Sequence, residues 1–165
     1  MRVEERISVL LKGSGMTLSA AESCTGGQIS HLITSVSGSS SYYLGSVTSY
    51  AVSVKEKLLS VPSRVIRDYG VVSSEVAAAM AEGVRDVTGS SFAVATTGLA
   101  EGGDERYPEG TVWIGVAGPM GTKTLLYQWN GGRKANIRRF AVVALRFLED
   151  YINSYLKHCK SINKT

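Results

Sequence analysis

"MTLSAAESCTGGQISHLITSV" (residues 16–36) changes its period in the middle. The opening "MTLSAA" (16–21) is a short run that reads as a buried strand. Beyond the Gly pair, Ile29, Leu32, Ile33 and Val36 recur at the spacing of a helical stripe. Strand and helix therefore frame "ESCTGG" (22–27), which places a carboxylate, two hydroxyls, a thiol and two glycines in one polar turn. A strand–turn–helix unit of this kind builds a sheet covered by helices, and in such sheets functional loops gather at the carboxyl ends of the strands.

The same alternation continues on both sides. Val3, Ile7, Leu10 and Leu11 mark an amphipathic helix that "GSG" (13–15) ends. After the loop "SGSSS" (37–41), the β-branched and aromatic run "GSVTSYAV" (45–52) predicts a second strand. Two brief helices follow, "SVKEKLL" (53–59) and "PSRVIRDY" (62–69), with Pro62 suited to a first turn and Gly70 to a C-terminal cap. Ser73 or Ser74 then caps a longer helix carrying Val76, Met80, Val84 and Val87, which Gly89 stops. "SFAVATTG" (91–98) is an apolar strand running into the loop "LAEGGDERYPEG" (99–110). "TVWIGVA" (111–117) and "TKTLLYQW" (122–129), joined by "GPMG", form a hairpin. Ile137, Ala141, Ala144, Leu148, Ile152 and Tyr155 mark a closing helix. The expected fold is α/β: a single-domain three-layer α/β/α sandwich around a mixed, mostly parallel sheet with a late β-hairpin. The domain is expected over 1–157, with a disordered tail over 158–165.

Composition agrees with one core. The 165 residues are 44% hydrophobic, with a formal charge of +4 concentrated in "GGRKANIRR" (131–139) and the last ten residues. That bias suits an anionic small ligand and falls short of a nucleic-acid footprint. No run approaches the ~20 apolar residues of a membrane span, and acids interrupt the N-terminal stretch "MRVEERISVLLKG", so a cytoplasmic protein is expected. Cys24 and Cys159 lack the nearby His and Cys partners of a zinc site, and no metal is expected.

The polar turn admits three chemistries. Ser23 can be a helix N-cap, the turn can cradle a phosphate on free N–H groups, or Ser23 can be a nucleophile presented at a strand-to-helix turn. The spacing fits neither a Walker loop nor the dinucleotide fingerprint. Cys24, beside a helix start, is a second candidate nucleophile. A serine needs a base, and the two histidines, His31 and His158, are poorly placed for a triad. Lysine is the remaining option. A lysine base must be moved from its ordinary ~10.4 to ~7–8, roughly 4 kcal/mol of desolvation and neighbouring charge. Lys55, after the apolar strand, is the candidate, and Tyr50 offers a phenol to orient the proton.

"AESCTGG" (21–27), "YAVSVKEKLLSV" (50–61), "GVVSSEVAAAMAEGV" (70–84) and "GTVWIGVA" (110–117) together resemble the C-terminal domain of the competence/damage-inducible CinA proteins, the nicotinamide mononucleotide amidohydrolase family, from about residue 4 to 150. The resemblance implies hydrolysis of the carboxamide of nicotinamide mononucleotide to nicotinate mononucleotide and ammonia, without a metal or organic cofactor. It assigns Ser23 as nucleophile, Lys55 as base and Tyr50 as the group that holds the amine. Substrate is then expected against Glu22, Thr25, Gly26, Gly27, Thr97 and Gly98. Backbone N–H groups from Thr25 to Gly27 would take the oxyanion, and Arg133 would take the phosphate ahead of Arg138 or Arg139. A homodimer is implied, with the hairpin edge and the pair Tyr42–Tyr43 as contact candidates. The alternative is a non-catalytic nucleotide-binding or regulatory module with the same pocket. Two departures bear on the substrate. "TGLAEGGDE" (97–105) carries Glu101 and Gly102 where the family usually has Gly-Pro, and "RYPEGTVW" (106–113) has Tyr107 where a Lys is usual.

Overall fold

The computed structural model describes residues 1–162. In chain order the elements are α1 (Val3–Leu11), β1 (Leu18–Glu22), α2 (Gln28–Thr34), β2 (Tyr43–Thr48), α3 (Val52–Leu59), α4 (Ser63–Tyr69), α5 (Ser74–Thr88), β3 (Phe92–Leu99), β4 (Thr111–Gly118), β5 (Gly121–Gln128) and α6 (Arg133–Ile162), with a 3-10 turn at Ser39–Ser41. The five strands form one sheet in the order β2-β1-β3-β4-β5. β1 pairs in parallel with β2 and β3, while β4 runs antiparallel to both β3 and β5. Only β4 is reversed, which is the mixed, mostly parallel sheet with a late hairpin that the alternation predicts.

Strand periodicity sorts the side chains into two unlike layers. On one face Leu18, Ala20, Phe92, Val94, Val112, Ile114 and Val116 meet α1, α2 and α6 in the larger core. On the other face the sheet offers small residues, Ala21, Ala93, Ala95 and Ala117, to α5 and α3. Small residues let α5 approach closely: a Cβ on Gly115 would lie 2.3 Å from the carbonyl oxygen of Ala77 in α5. α5 is closed at both ends as its sequence suggests, with Ser73 Oγ accepting from the N–H of Val76 and Gly89 left-handed at φ +68°.

Several boundaries differ from the sequence reading. β2 begins at Tyr43 and stops at Thr48, so residues 49–51 leave the sheet although their composition continues the strand. They do so because β2 is an edge strand with alternating exposure, and the N–H of Ser49 makes its last bond to Glu22 O at 2.8 Å before the chain turns into α3. Pro62 precedes the first turn of α4 as its N-cap. The closing helix begins at Arg133 and continues to Ile162, so residues 158–162, expected as tail, are helical. The apolar stripe explains the continuation: Tyr155 and Leu156 still pack on the core, Tyr155 edge-on to Phe92 at 5.6 Å between ring centroids. Residues 163–165 of the expected tail lie outside the described residues. Tyr42 is fully buried, which removes it as a dimer contact. Among the described residues no helix is long and apolar enough to cross a membrane.

Candidate functional site

The site begins at the carboxyl end of β1, where the parallel neighbours β2 and β3 enclose Glu22 and leave it no solvent. A buried carboxylate must be supplied with donors, and here the turn supplies them. One oxygen of Glu22 accepts from Thr25 Oγ1 (2.6 Å) and the N–H groups of Gly27 (3.1 Å) and Ile29 (3.0 Å); the other accepts from the N–H of Ser30 (2.9 Å). Glu22 thus does the capping that Gly27, the left-handed residue before α2 at φ +101°, has no side chain to do. Thr25 Oγ1, having donated to Glu22, accepts from Thr96 Oγ1 at 2.8 Å. The carboxylate of Glu22 and the hydroxyl of Thr25 are therefore committed to the turn itself. Both were expected against substrate, and here they bond within the site's own framework.

This internal scaffold fixes the residue between them. The N–H of Ser23 donates to Thr96 O at 3.1 Å and its carbonyl accepts from the N–H of Gly26 at 3.1 Å. Ser23 Oγ lies 2.9 Å from Lys55 Nζ. Lys55 projects from the first turns of α3 and is fully buried. Its amine also reaches two carbonyls of the segment that left the sheet, Ser49 O at 2.5 Å and Tyr50 O at 3.4 Å. No carboxylate among the described residues pairs with it.

Burial without a counter-ion disfavours the ammonium, and the Lys55 pKa is lowered from its ordinary value by desolvation, against an opposing effect of Cys24. That opposition requires a thiolate. Burial pushes the Cys24 thiol up to about 12, so at neutral pH it stays protonated and the opposition vanishes. The same shift disfavours the thiolate that a Cys24 nucleophile would need. A neutral amine has two N–H bonds and one lone pair. As an ammonium Lys55 donates to Ser23 Oγ and to the carbonyls of Ser49 and Tyr50; once deprotonated, with its two N–H bonds kept by the carbonyls, its lone pair would face the Ser23 hydroxyl, which would then donate to it.

Beside the pair lies a cleft of about 180 Å³, lined by Ser23, Cys24, Tyr50, the run from Gly98 to Glu101, and Arg133. Gly98 is required there for packing: a Cβ would lie 2.4 Å from the carbonyl oxygen of Thr111 on the paired strand. Thr97 faces away, its hydroxyl donating to Val71 O at 2.8 Å, and is not brought to the cleft. Tyr50 is 65% exposed. Its phenol oxygen accepts from Arg133 Nη2 at 3.4 Å, and the hydrogen bond that Tyr50 accepts from the Lys55 amine is through its carbonyl. Arg133 also pairs with Glu101, at 3.6 Å. Arg139 is turned to Tyr127 and Trp129, and neither it nor Arg138 lines the cleft. A larger groove of about 390 Å³ between α3, α4 and α5 presents carboxylates and aliphatic side chains without a paired nucleophile and base.

Gly26 and Gly27 do not offer free amides, since both N–H groups are bonded inside the turn. The N–H groups of Cys24 and Thr25 have no acceptor from another residue among the described hydrogen bonds. Sequence reasoning also missed Ser49, whose contribution is a main-chain carbonyl and leaves no side-chain signature, and the seating of Ser23 and Thr25 by Thr96 in the neighbouring strand.

Comparison with known proteins places this geometry. Residues 1–152 match the family described as CinA C-terminal domain. The chain is 42% identical over 148 residues to a CinA-like protein of Cytophaga hutchinsonii, covering 88% of this chain and 35% of that protein. It is 46% identical over 137 residues to a CinA-like protein of Salinibacter ruber, covering 82% of this chain and 33% of that one. The chain thus spans about a third of the length of these curated relatives. Among solved structures, the competence/damage inducible protein CihA of Agrobacterium tumefaciens superposes with a TM-score of 0.84 at 30% identity, covering 92% of this chain and 93% of that one. The competence-damaged protein (CinA) superfamily protein of Escherichia coli gives 0.85 at 27% identity, with 89% and 87% covered. On the matched profile and these relatives, the chain belongs to the CinA C-terminal domain family.

Proposed function

We propose that this domain is a serine amidohydrolase of the cytoplasm that cleaves the carboxamide of nicotinamide mononucleotide or a related pyridinium amide, releasing ammonia. The observation that carries the reading is the 2.9 Å approach of a fully buried, carboxylate-free Lys55 amine to Ser23 Oγ at the wall of a cleft. Neutral Lys55 takes the Ser23 proton as Oγ attacks the amide carbon, and returns it to the departing nitrogen as the tetrahedral intermediate collapses. The N–H groups of Cys24 and Thr25 receive the oxyanion, each good donor being worth about 3 kcal/mol. Water, deprotonated by the same amine, then releases the acid from the Ser23 ester. Nucleophile, base and oxyanion donors all come from the chain, so the reading needs no metal or organic cofactor. A homodimer is part of the proposal, with the exposed hairpin edge as the contact.

The test is ammonia release from nicotinamide mononucleotide by the purified chain and by Ser23→Ala. Turnover that disappears in the variant, with the fold retained by circular dichroism, supports the reading. A wild-type chain inert toward a panel of nicotinamide-containing amides defeats it.

The second reading, a nucleotide-binding or regulatory module without chemistry, draws on the size of the cleft. At about 180 Å³ it is below the ~300–1,000 Å³ of ordinary ligand sites. Tight nucleotide binding without product would favour it.

A further inference from the structure

The mouth of the cleft is crossed by a chain of three side chains from three separate segments. Tyr50 comes from the turn between β2 and α3, Arg133 from the start of α6, and Glu101 from the loop after β3. Arg133 donates to the phenol oxygen of Tyr50 on one side and pairs with the Glu101 carboxylate on the other. Among the described residues that line the cleft, Arg133 and Glu101 are the charged ones, and the carboxylate offsets the cation. The Arg133 and Glu101 side chains are 46% and 66% exposed, and an ion pair of that kind adds little stability. Its consequence is electrostatic and falls on whatever enters.

Resting on the amidase reading, we infer that Glu101 is a specificity-determining residue that makes this site select pyridinium carboxamides with an uncharged tail over those ending in phosphate. A quaternised pyridine ring carries +1 and sits favourably beside a carboxylate and the face of Tyr50. A phosphate carries −1.5 to −2 near neutral pH, and to use Arg133 it must displace Glu101 or lie beside it. The cleft volume points the same way: about 180 Å³ accommodates the amide-bearing ring, leaving a phosphate on the rim where Glu101 stands. Among the described residues no second cation lines the cleft to offset the carboxylate.

The experiment separates this claim from the chemistry. Binding of nicotinamide riboside and of nicotinamide mononucleotide is measured by calorimetry on Ser23→Ala, which retains Glu101, and on Ser23→Ala with Glu101→Gln. With Glu101 present the riboside is expected to bind more tightly than the mononucleotide, by roughly ten-fold for unit charges several ångströms apart at a protein surface. Added salt should shrink the preference. Glu101→Gln should shift the ratio toward the mononucleotide by a similar factor, and Arg133→Gln should shift it the other way. A mononucleotide that binds more tightly with Glu101 in place, a ratio unmoved by Glu101→Gln, or no binding of either probe overturns the inference. Ammonia release by the wild-type chain is scored independently: its absence sinks the amidase reading, while the ratio of dissociation constants still decides the role of Glu101.

Discussion

Lys55 Nζ and Ser23 Oγ lie 2.9 Å apart across 32 residues of sequence, and among the described residues the amine has no carboxylate partner. Two carbonyls, Ser49 O and Tyr50 O, orient it. The pair is held from both ends: Ser23 by a turn wrapped around the Glu22 carboxylate, and Lys55 by the segment where β2 leaves the sheet.

If Lys55 works by giving up its proton, charge at position 55 cannot substitute for it. Lys55→Arg keeps a cation that does not deprotonate, and it should fail as completely as Lys55→Ala, each losing about 10²–10⁴-fold in kcat. Residues acting as a unit are not additive, so Ser23→Ala combined with Lys55→Ala should lose no more than Ser23→Ala alone. Steady-state ammonia release on the three variants checks this. A Lys55→Arg chain with near wild-type turnover would show that the amine acts only by its charge.

The lowered Lys55 pKa carries a signed pH dependence. Activity should rise with pH as the amine becomes neutral, with its midpoint below the ordinary lysine value of ~10.4. Stability follows the same direction. Between the folded and the unfolded pKa the unfolded chain binds the extra proton, so wild-type stability rises with pH across that window relative to Lys55→Met, and the difference flattens below the folded pKa. Urea unfolding of the two chains at a series of pH values reads the slope, and a difference that falls with rising pH would contradict the burial of an amine that prefers to be neutral.

Cys24 stands beside Ser23 in sequence and lines the same cleft, yet burial pushes its thiol up to about 12. At pH 7.5 the thiolate fraction is then about 10⁻⁴ to 10⁻⁵, too small to alkylate or to attack an amide at a useful rate. Iodoacetamide at that pH should label Cys159, which is half-buried, and spare Cys24 in the folded chain. Cys24→Ala should retain Ser23-dependent ammonia release. Peptide mass spectrometry and the ammonia assay settle both points, and loss of turnover on labelling of Cys24 would reopen the thiol chemistry.

The alternation of strands and helices was legible because it depends on patterns local in sequence. α1, α5 and the β4–β5 hairpin follow directly from apolar period, capping Ser73 and turn glycines. The approach of Ser23 and Lys55 follows from the parallel pairing of β1 with β2, which brings the carboxyl ends of both strands to one edge. What could not be read was the direction of individual side chains where strands end. Tyr50 and Lys55 both follow β2, but the chain bends at residues 49–51, so the phenol turns out to Arg133 while the amine turns in. Glu22 looked like a site carboxylate because its sequence neighbours are reactive groups. Its role emerges only when four donors are seen to converge on it from the next eight residues.

Glu22 gives a prediction opposite in kind to those for Ser23 and Lys55. Its carboxylate is fully buried and accepts one hydroxyl and three N–H groups, all of them from the turn and the start of α2 that follow it. Glu22→Gln keeps the shape but replaces one accepting oxygen with an NH₂ group that must face donors, so at least one amide among Gly27, Ile29 and Ser30 loses its acceptor. A buried donor left unsatisfied costs about 1–3 kcal/mol, and more where the lost acceptor was charged. The variant should therefore unfold at lower denaturant concentration with an unchanged slope, and the amides of residues 27–30 should exchange hydrogen faster than those of α5. Substrate binding should weaken only as far as the turn itself loosens. A Glu22→Gln chain as stable as wild type but unable to bind nicotinamide mononucleotide would return Glu22 to the substrate contacts and remove it from the scaffold.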